Sequence, residues 1–219
     1  MSAYRRTARD ARRRSLGQNF LRPEIGRELV AAAGFEPGQL VFEIGAGSGA
    51  LTRALAAHPI EVIAIELDPV WAERLRADLQ REGHRRVRVV RADFFRVPLP
   101  SRPFRVIGSL PFGRTTEICR RLFDDPSVPL ERADLIVQWD VARIRAAQPP
   151  STLLSTVWAP WWEFRLERRI AAGSFRPIPR TDAGMIAVRR RVPPLLPVAM
   201  ARAYDSFLRE RWPFDRSPR

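Results

Sequence analysis

A chain of 219 residues has room for one full hydrophobic core, and 38 basic against 24 acidic side chains leave it with a net charge of +14. Every basic residue is an arginine, whose guanidinium meets phosphate through paired hydrogen bonds, so nucleic acid is the leading partner. One cysteine excludes an internal disulfide, two histidines beside it argue against a metal site, and no apolar run reaches the roughly 20 residues of a membrane span. The start of the chain lacks the apolar segment of a secretory signal, and the expectation is a cytoplasmic protein with no membrane or metal partner, acting as a monomer.

Residues 1–15 carry Arg5, Arg6, Arg9, Arg12, Arg13 and Arg14 with almost nothing apolar, and read as a basic arm that either follows a phosphate backbone or is simply solvated. Leu16-Gly17-Gln18-Asn19-Phe20-Leu21 follows. Its two amides either face a ligand or cap the next helix, which starts at Pro23 and places Ile25, Leu29, Val30 and Ala33 on one face.

From Val41 an apolar run ends at Glu43 and passes into Gly45-Ala46-Gly47-Ser48-Gly49. A strand that ends in alternating glycines delivers bare backbone N–H groups to a helix start, where a ligand can lie directly on the chain. The helix spans Ser48 to Ala57, and a β-branched strand from Glu61 to Glu66 ends on a carboxylate placed to accept ribose hydroxyls. The spacing Gly-x-Gly-x-Gly differs from that of dinucleotide enzymes, so which nucleoside cofactor the cradle takes stays open, with a tight strand-to-helix turn that holds no ligand as the alternative.

Pro69 opens a helix carrying Trp71, Leu75 and Leu79, and a third strand, Val87 to Val90, leads to Ala92-Asp93-Phe94. Asp93 either caps a turn or accepts from the edge amine of an adenine. A fourth strand from Phe104 ends at Ser109-Leu110-Pro111-Phe112, a helix holds Ile118, Cys119 and Leu122, and a fifth strand covers Leu135 to Trp139. This alternation specifies an α/β fold with a mostly parallel sheet covered on both faces. Beyond a tryptophan-rich, proline-punctuated stretch, strands at Glu163–Ile170 and Gly184–Arg191 flank a stiff loop, Phe175-Arg176-Pro177-Ile178-Pro179. Val192-Pro193-Pro194 marks a boundary, and Val198 to Arg211 suits one amphipathic helix.

The Ser109–Phe112 turn has a chemical reading. A nucleobase amine is a poor nucleophile because its lone pair is delocalised, so a site that methylates it needs acceptors against its N–H groups. A carbonyl held rigid by Pro111 supplies one, Phe112 supplies a stacking wall, and Phe175 is placed to stack on the other face of an everted base. Each ring is also a candidate for the core.

Taken in order, the stretches 16–21, 43–52, 66–68, 92–94 and 175–179 resemble the successive motifs of the ribosomal RNA adenine N6-dimethyltransferases. Pro111-Phe112-Gly113-Arg114-Thr115-Thr116, Gln138-Trp139-Asp140-Val141-Ala142-Arg143 and Trp161-Trp162-Glu163-Phe164 are similar to the Erm group, which modifies 23S rRNA and confers macrolide, lincosamide and streptogramin B resistance. The small-subunit (16S) dimethyltransferases are the nearer alternative, and a non-catalytic RNA-binding protein is another. The resemblance implies a Rossmann-like class I methyltransferase sheet with an antiparallel late strand over residues 16–192, a short helical tail over 193–219, S-adenosylmethionine as cofactor, and 23S rRNA or a precursor ribosomal particle as partner. It places Gln18, Asn19, Leu21, Gly45, Ala46, Gly47, Glu66, Leu67, Asp93, Phe94 and Ser109 around the cofactor. It puts the target amine at Ser109, Leu110 and Pro111, between Phe112 and Phe175. In two respects the chain departs from the family pattern: Ser109 stands where the family has asparagine, and the usual C-terminal helical domain is reduced to the tail.

Overall fold

The central strand, Leu40–Ile44, is buried along its whole length, and its side chains divide by the two-residue period of a strand. Leu40, Phe42 and Ile44 enter one apolar cluster and Val41 the other. The sheet is therefore covered on both faces. The computed structural model of the chain describes residues 19–212; the arginine arm and Gln18 lie outside them.

In chain order the elements are β1 (Phe20–Leu21), α1 (Pro23–Ala33), β2 (Leu40–Ile44), α2 (Ala50–Ala56), β3 (Glu61–Glu66), α3 (Pro69–Arg81), β4 (Val87–Arg91), β5 (Phe104–Ser109), α4 (Thr115–Phe123) and β6 (Leu130–Gln138). They continue with α5 (Trp139–Arg145), α6 (Leu153–Trp158), β7 (Trp162–Ile170), β8 (Phe175–Arg176), β9 (Ala183–Arg190) and α7 (Ala201–Arg211). The main sheet has the order β4-β3-β2-β5-β6-β9-β7. β9 pairs antiparallel with both β6 and β7 and alone runs against the rest, as the antiparallel late strand expected from the resemblance.

One cluster joins the sheet to α1, α2 and α3 through Leu29, Val30, Leu51, Leu55, Leu75 and Leu79. The opposite one gathers α4 and the tryptophan-rich segment, where Phe123 meets Trp158, Trp162 and Phe164 with ring centroids 5.3–5.6 Å apart. Each buried indole finds an acceptor: Trp158 Nε1 donates to Asp124 Oδ1 at 2.8 Å and Trp162 Nε1 to the Phe123 carbonyl at 3.1 Å. The tail is stitched on by Trp161, whose Nε1 donates to the Leu196 carbonyl at 3.0 Å and whose ring meets Tyr204 of α7 at 5.9 Å. Among the described residues, no helix is long and apolar enough to cross a membrane.

Several elements differ from the sequence expectation. β6 begins at Leu130, not Leu135: its first half pairs with β5 and β9 although it carries the buried Asp134 and the half-buried Arg132. Trp139 opens α5 and does not close the strand. Between the prolines lies a short helix, α6, whose N-terminal Thr152 hydroxyl accepts from the Ser155 N–H at 3.2 Å.

Arg105 on β5 and Asp134 on β6 are a buried pair that ties α1 to the sheet. Arg105 Nη2 donates to Asp134 Oδ2 at 2.9 Å and to the Ala33 carbonyl at 3.0 Å, while Nη1 reaches the Gly34 carbonyl and the guanidinium lies 4.1 Å from the Phe35 ring centroid. Asp134 also accepts from Arg132 at 2.6 and 3.0 Å. Asp134→Ala leaves two buried or half-buried guanidinium groups without their carboxylate, and is expected to cost about 3–5 kcal/mol in denaturant unfolding. A loss below about 1 kcal/mol there would show that the arginines find other partners.

Candidate active site

The strand order reverses at β2, with β3 on one side and β5 on the other, and such a switch point opens a crevice beyond the carboxyl ends of the strands. A cavity of about 550 Å³ occupies this place, within the roughly 300–1,000 Å³ range of small-ligand sites. Asn19 and Leu21, Gly45, Ala46 and Gly47, Glu66 and Leu67, Asp93 and Phe94, Ser109, Leu110, Pro111 and Phe112, and Phe175 all line it. The cavity therefore brings together every site residue expected from the sequence that falls among the described residues.

The glycine loop is held from three sides. Gly45 and Ala46 donate their N–H groups to the Ile65 carbonyl at 2.9 and 3.1 Å, and Arg53 Nη1 supports the Ser48 carbonyl from behind at 2.8 Å. Gly47 donates to Glu66 Oε2 at 2.6 Å. Its φ of 54° is left-handed, and a Cβ there would stand 3.0 Å from the Phe20 ring, so glycine is required by both conformation and space. Phe20, whose ring lies 4.6 Å from that of Trp71, thus roofs the loop.

Glu66 is 5% exposed and both its oxygens are engaged, Oε2 by Gly47 and Oε1 by the Asp68 N–H at 2.7 Å. A carboxylate has about four acceptor positions, and those the backbone amides leave can meet ligand hydroxyls. Burial pushes its pKa up, against the pull of the Asp68 and Gly47 amides. Asp93, at the end of β4, does cap a turn, accepting from the Phe95 N–H at 3.0 Å through Oδ1. Its Oδ2 lies 3.8 Å from Arg114 Nη1.

On the opposite wall the Ser109–Phe112 turn is fixed through its backbone. Leu110 N–H donates to the Ile136 carbonyl at 2.9 Å, while the Pro111 carbonyl accepts from the Arg114 N–H at 2.9 Å and the Thr115 hydroxyl at 3.4 Å. Phe112 is half-buried. Phe175 is placed differently from a free stacking ring: it belongs to the cavity wall but is 1% exposed. The cause is backbone pairing, since β8 joins β1 with Leu21 opposite Phe175 and draws the ring into the cluster beneath.

Sequence reasoning gave no role to Glu43, which lines the same cavity. It is 1% exposed and its Oε2 has no hydrogen-bond partner. Burial pushes its pKa up to about 7; the nearby Thr52 opposes this and the charge of Glu66 adds to it. Its place one residue before the strand's end was the available signal. Cys119 is buried, and its thiol is pushed up to about 12, so it packs as an apolar side chain and offers no nucleophile. Among the described residues no three His, Cys, Asp or Glu side chains gather as metal ligands would.

Glu43, Glu66 and Asp93 thus give the cavity an acidic lining inside a chain of net charge +14. The strand order with its one antiparallel strand, and the cradle at its switch point, are those of the Rossmann-like class I methyltransferase fold. The family model "Ribosomal RNA adenine dimethylase" matches residues 9–212, and the chain belongs to that family.

The mycinamicin-resistance protein MyrB of Micromonospora griseorubida is 40% identical over 202 residues, covering 90% of this chain and 62% of its own length. An rRNA adenine N-6-methyltransferase of Corynebacterium diphtheriae is 35% identical, covering 88% and 74%. The crystal structure of the 23S rRNA methyltransferase ErmE superposes with a TM-score of 0.77 at 32% identity, covering 87% of this chain and 78% of that one. The chain thus spans less than two thirds of MyrB.

Glu43 yields a signed stability prediction. Its folded pKa lies above its ordinary value of 4.5, so the native state binds the proton more tightly, and stability falls as pH rises from about 4.5 to about 7. Glu43→Gln removes this penalty. The variant is expected to be more stable than the parent at pH 8.5 by on the order of 3 kcal/mol, with the difference fading by pH 4.5 in denaturant titrations. A pH-independent difference would refute the buried-carboxyl account.

Proposed function

We propose that this chain transfers a methyl group from S-adenosylmethionine to the N6 amine of an adenine in ribosomal RNA, with 23S rRNA as target and macrolide, lincosamide and streptogramin B resistance as consequence. The observation that carries the proposal is the joint presence, in one cavity, of the Glu66–Gly47 cradle, Asp93 and the backbone-fixed Ser109–Phe112 turn. The names and activities of MyrB and ErmE support the choice of target.

The residues fit the cofactor. Glu66 retains acceptor positions for ribose hydroxyls, Asp93 Oδ2 is open to an adenine amine, and the acidic lining suits a sulfonium cation. When bound, S-adenosylmethionine supplies an electrophilic methyl. The chain's part is positioning: the Ser109 and Leu110 carbonyls accept from the target amine, and Phe112 bears on the base. The reaction moves the methyl from sulfur to nitrogen and releases the amine proton to water, so no general base is needed. Phe175 supports the wall behind the base. We assign the catalytic role to residues 16–192 and RNA grip to the arginine arm, the arginines of β7 and β9 and the tail.

A second reading rests on Ser109. Serine keeps the backbone carbonyl but lacks the amide arm of the family asparagine, which favours an RNA binder that retained the cofactor cradle. Incubation with labelled S-adenosylmethionine and 23S rRNA, 16S rRNA or small metabolites, followed by mapping of the modified base, separates these readings. Label on one 23S adenine supports the proposal; cofactor binding without transfer supports the second.

Two variants sharpen the test. Glu66→Ala is expected to weaken cofactor binding by about ten- to a hundredfold in calorimetry, the loss of one or two charge-assisted hydrogen bonds. Ser109→Asn is expected to raise single-turnover methylation roughly ten- to a hundredfold by restoring an acceptor to the amine. Unchanged affinity would remove Glu66 from the site, and a slower S109N enzyme would show that serine belongs to a different acceptor geometry.

A further inference from the structure

Arg114 joins two parts of the cavity that the chemistry treats as separate. It closes the one-turn 3-10 helix Phe112–Arg114 directly after the acceptor turn, and its own N–H donates to the Pro111 carbonyl at 2.9 Å. Its guanidinium crosses the cavity mouth to the other wall, 3.8 Å from Asp93 Oδ2 and 4.3 Å from the Phe95 ring centroid, and pairs with Glu117 at 3.0 Å. Arg121 grips the same wall, 4.8 Å from the Phe94 ring centroid, and donates to the Val97 carbonyl.

The Asp93 contact is longer than a hydrogen bond, and the side chains are 31% and 43% exposed. Water therefore screens the pair, and Asp93 Oδ2 keeps its capacity for a ligand. An adenine placed against Asp93 and Phe95 would displace that water, lower the local dielectric and strengthen the pull on Arg114. Arg114 carries the turn on which Phe112 sits, so occupation of one wall steadies the other.

We propose that Arg114 is a positioning residue that couples the methyl-donor subsite to the acceptor turn, so that donor and RNA each tighten the binding of the other. The inference rests on the proposed reading of the cavity. Coupling of this kind is reciprocal and measurable.

The test uses S-adenosylhomocysteine, which permits no turnover, and deproteinised 23S rRNA. In the parent protein, saturating S-adenosylhomocysteine is expected to lower the RNA dissociation constant at least about fivefold, and RNA to tighten S-adenosylhomocysteine by the same factor. In Arg114→Gln this ratio is expected to fall below about twofold, while the unfolding midpoint stays within about 2 °C of the parent. Arg114→Lys, which keeps the charge, should restore most of the ratio. A merely structural role would lower the midpoint or both affinities and leave their ratio intact. Coupling that survives in R114Q, or its absence from the parent, overturns the inference. Failure of the parent to bind S-adenosylhomocysteine at all overturns the reading of the cavity itself.

Discussion

A carboxylate clamped between two backbone amides sets the geometry of everything at the top of this sheet. Glu66 ends β3, yet its oxygens belong to the loop after β2 and to the turn before α3, through Gly47 at 2.6 Å and Asp68 at 2.7 Å. The bond to Gly47 crosses from one strand end to the next and fixes how far the glycine loop leans over the crevice. Removing the acceptor would take away one of the three supports of the loop and leave the Ile65 carbonyl and Arg53 to hold the rest. Burial raises the affinity of Glu66 for a proton while the two amides oppose that rise, so the same contacts that shape the cradle also favour the charged form.

Charge is sorted by depth. Three acidic groups and Arg114 at the mouth line the cavity, while many of the other arginines face solvent, where they can meet phosphate. Arg105 is one exception among the described residues: it is 5% exposed, and Asp134, two backbone carbonyls and the Phe35 ring surround it. Glu43 is the opposite case, a buried carboxyl with one oxygen unmatched. An unmatched polar atom costs stability, and it persists most readily where a ligand can satisfy it.

The strand ends were legible because parallel strands advertise themselves as short β-branched runs, and because glycine spacing and a terminal carboxylate are local in sequence. The loop, Glu66, Asp93 and the Ser109–Phe112 turn could be placed at one edge from that pattern alone. Pairings between distant segments could not. β1 and β8 are two residues each, too short for any period, and only their meeting buries Phe175 and removes the open ring face expected of it. The first half of β6 was hidden because Asp134 is polar, and its partner Arg105 lies on another strand. Arg114 sat in view within a recognised motif, but its reach to Asp93 depends on the distance between two strand ends, which sequence does not encode locally.

In the proposed reaction the target amine meets residue 109, whose side chain takes no part in holding the turn. The acceptor turn is held by the Leu110 N–H, the Pro111 carbonyl and the buried Leu110 side chain, none of which depends on what stands at 109. Ser109 can therefore replace a longer amide without disturbing the turn. Its carbonyl lies 3.7 Å from where a Cβ on Gly45 would stand, so the two strand ends already meet closely at the backbone. In the proposed reaction, substitution there would change which hydrogen bonds an incoming amine can make, while the cradle, the sheet and the turn stay the same.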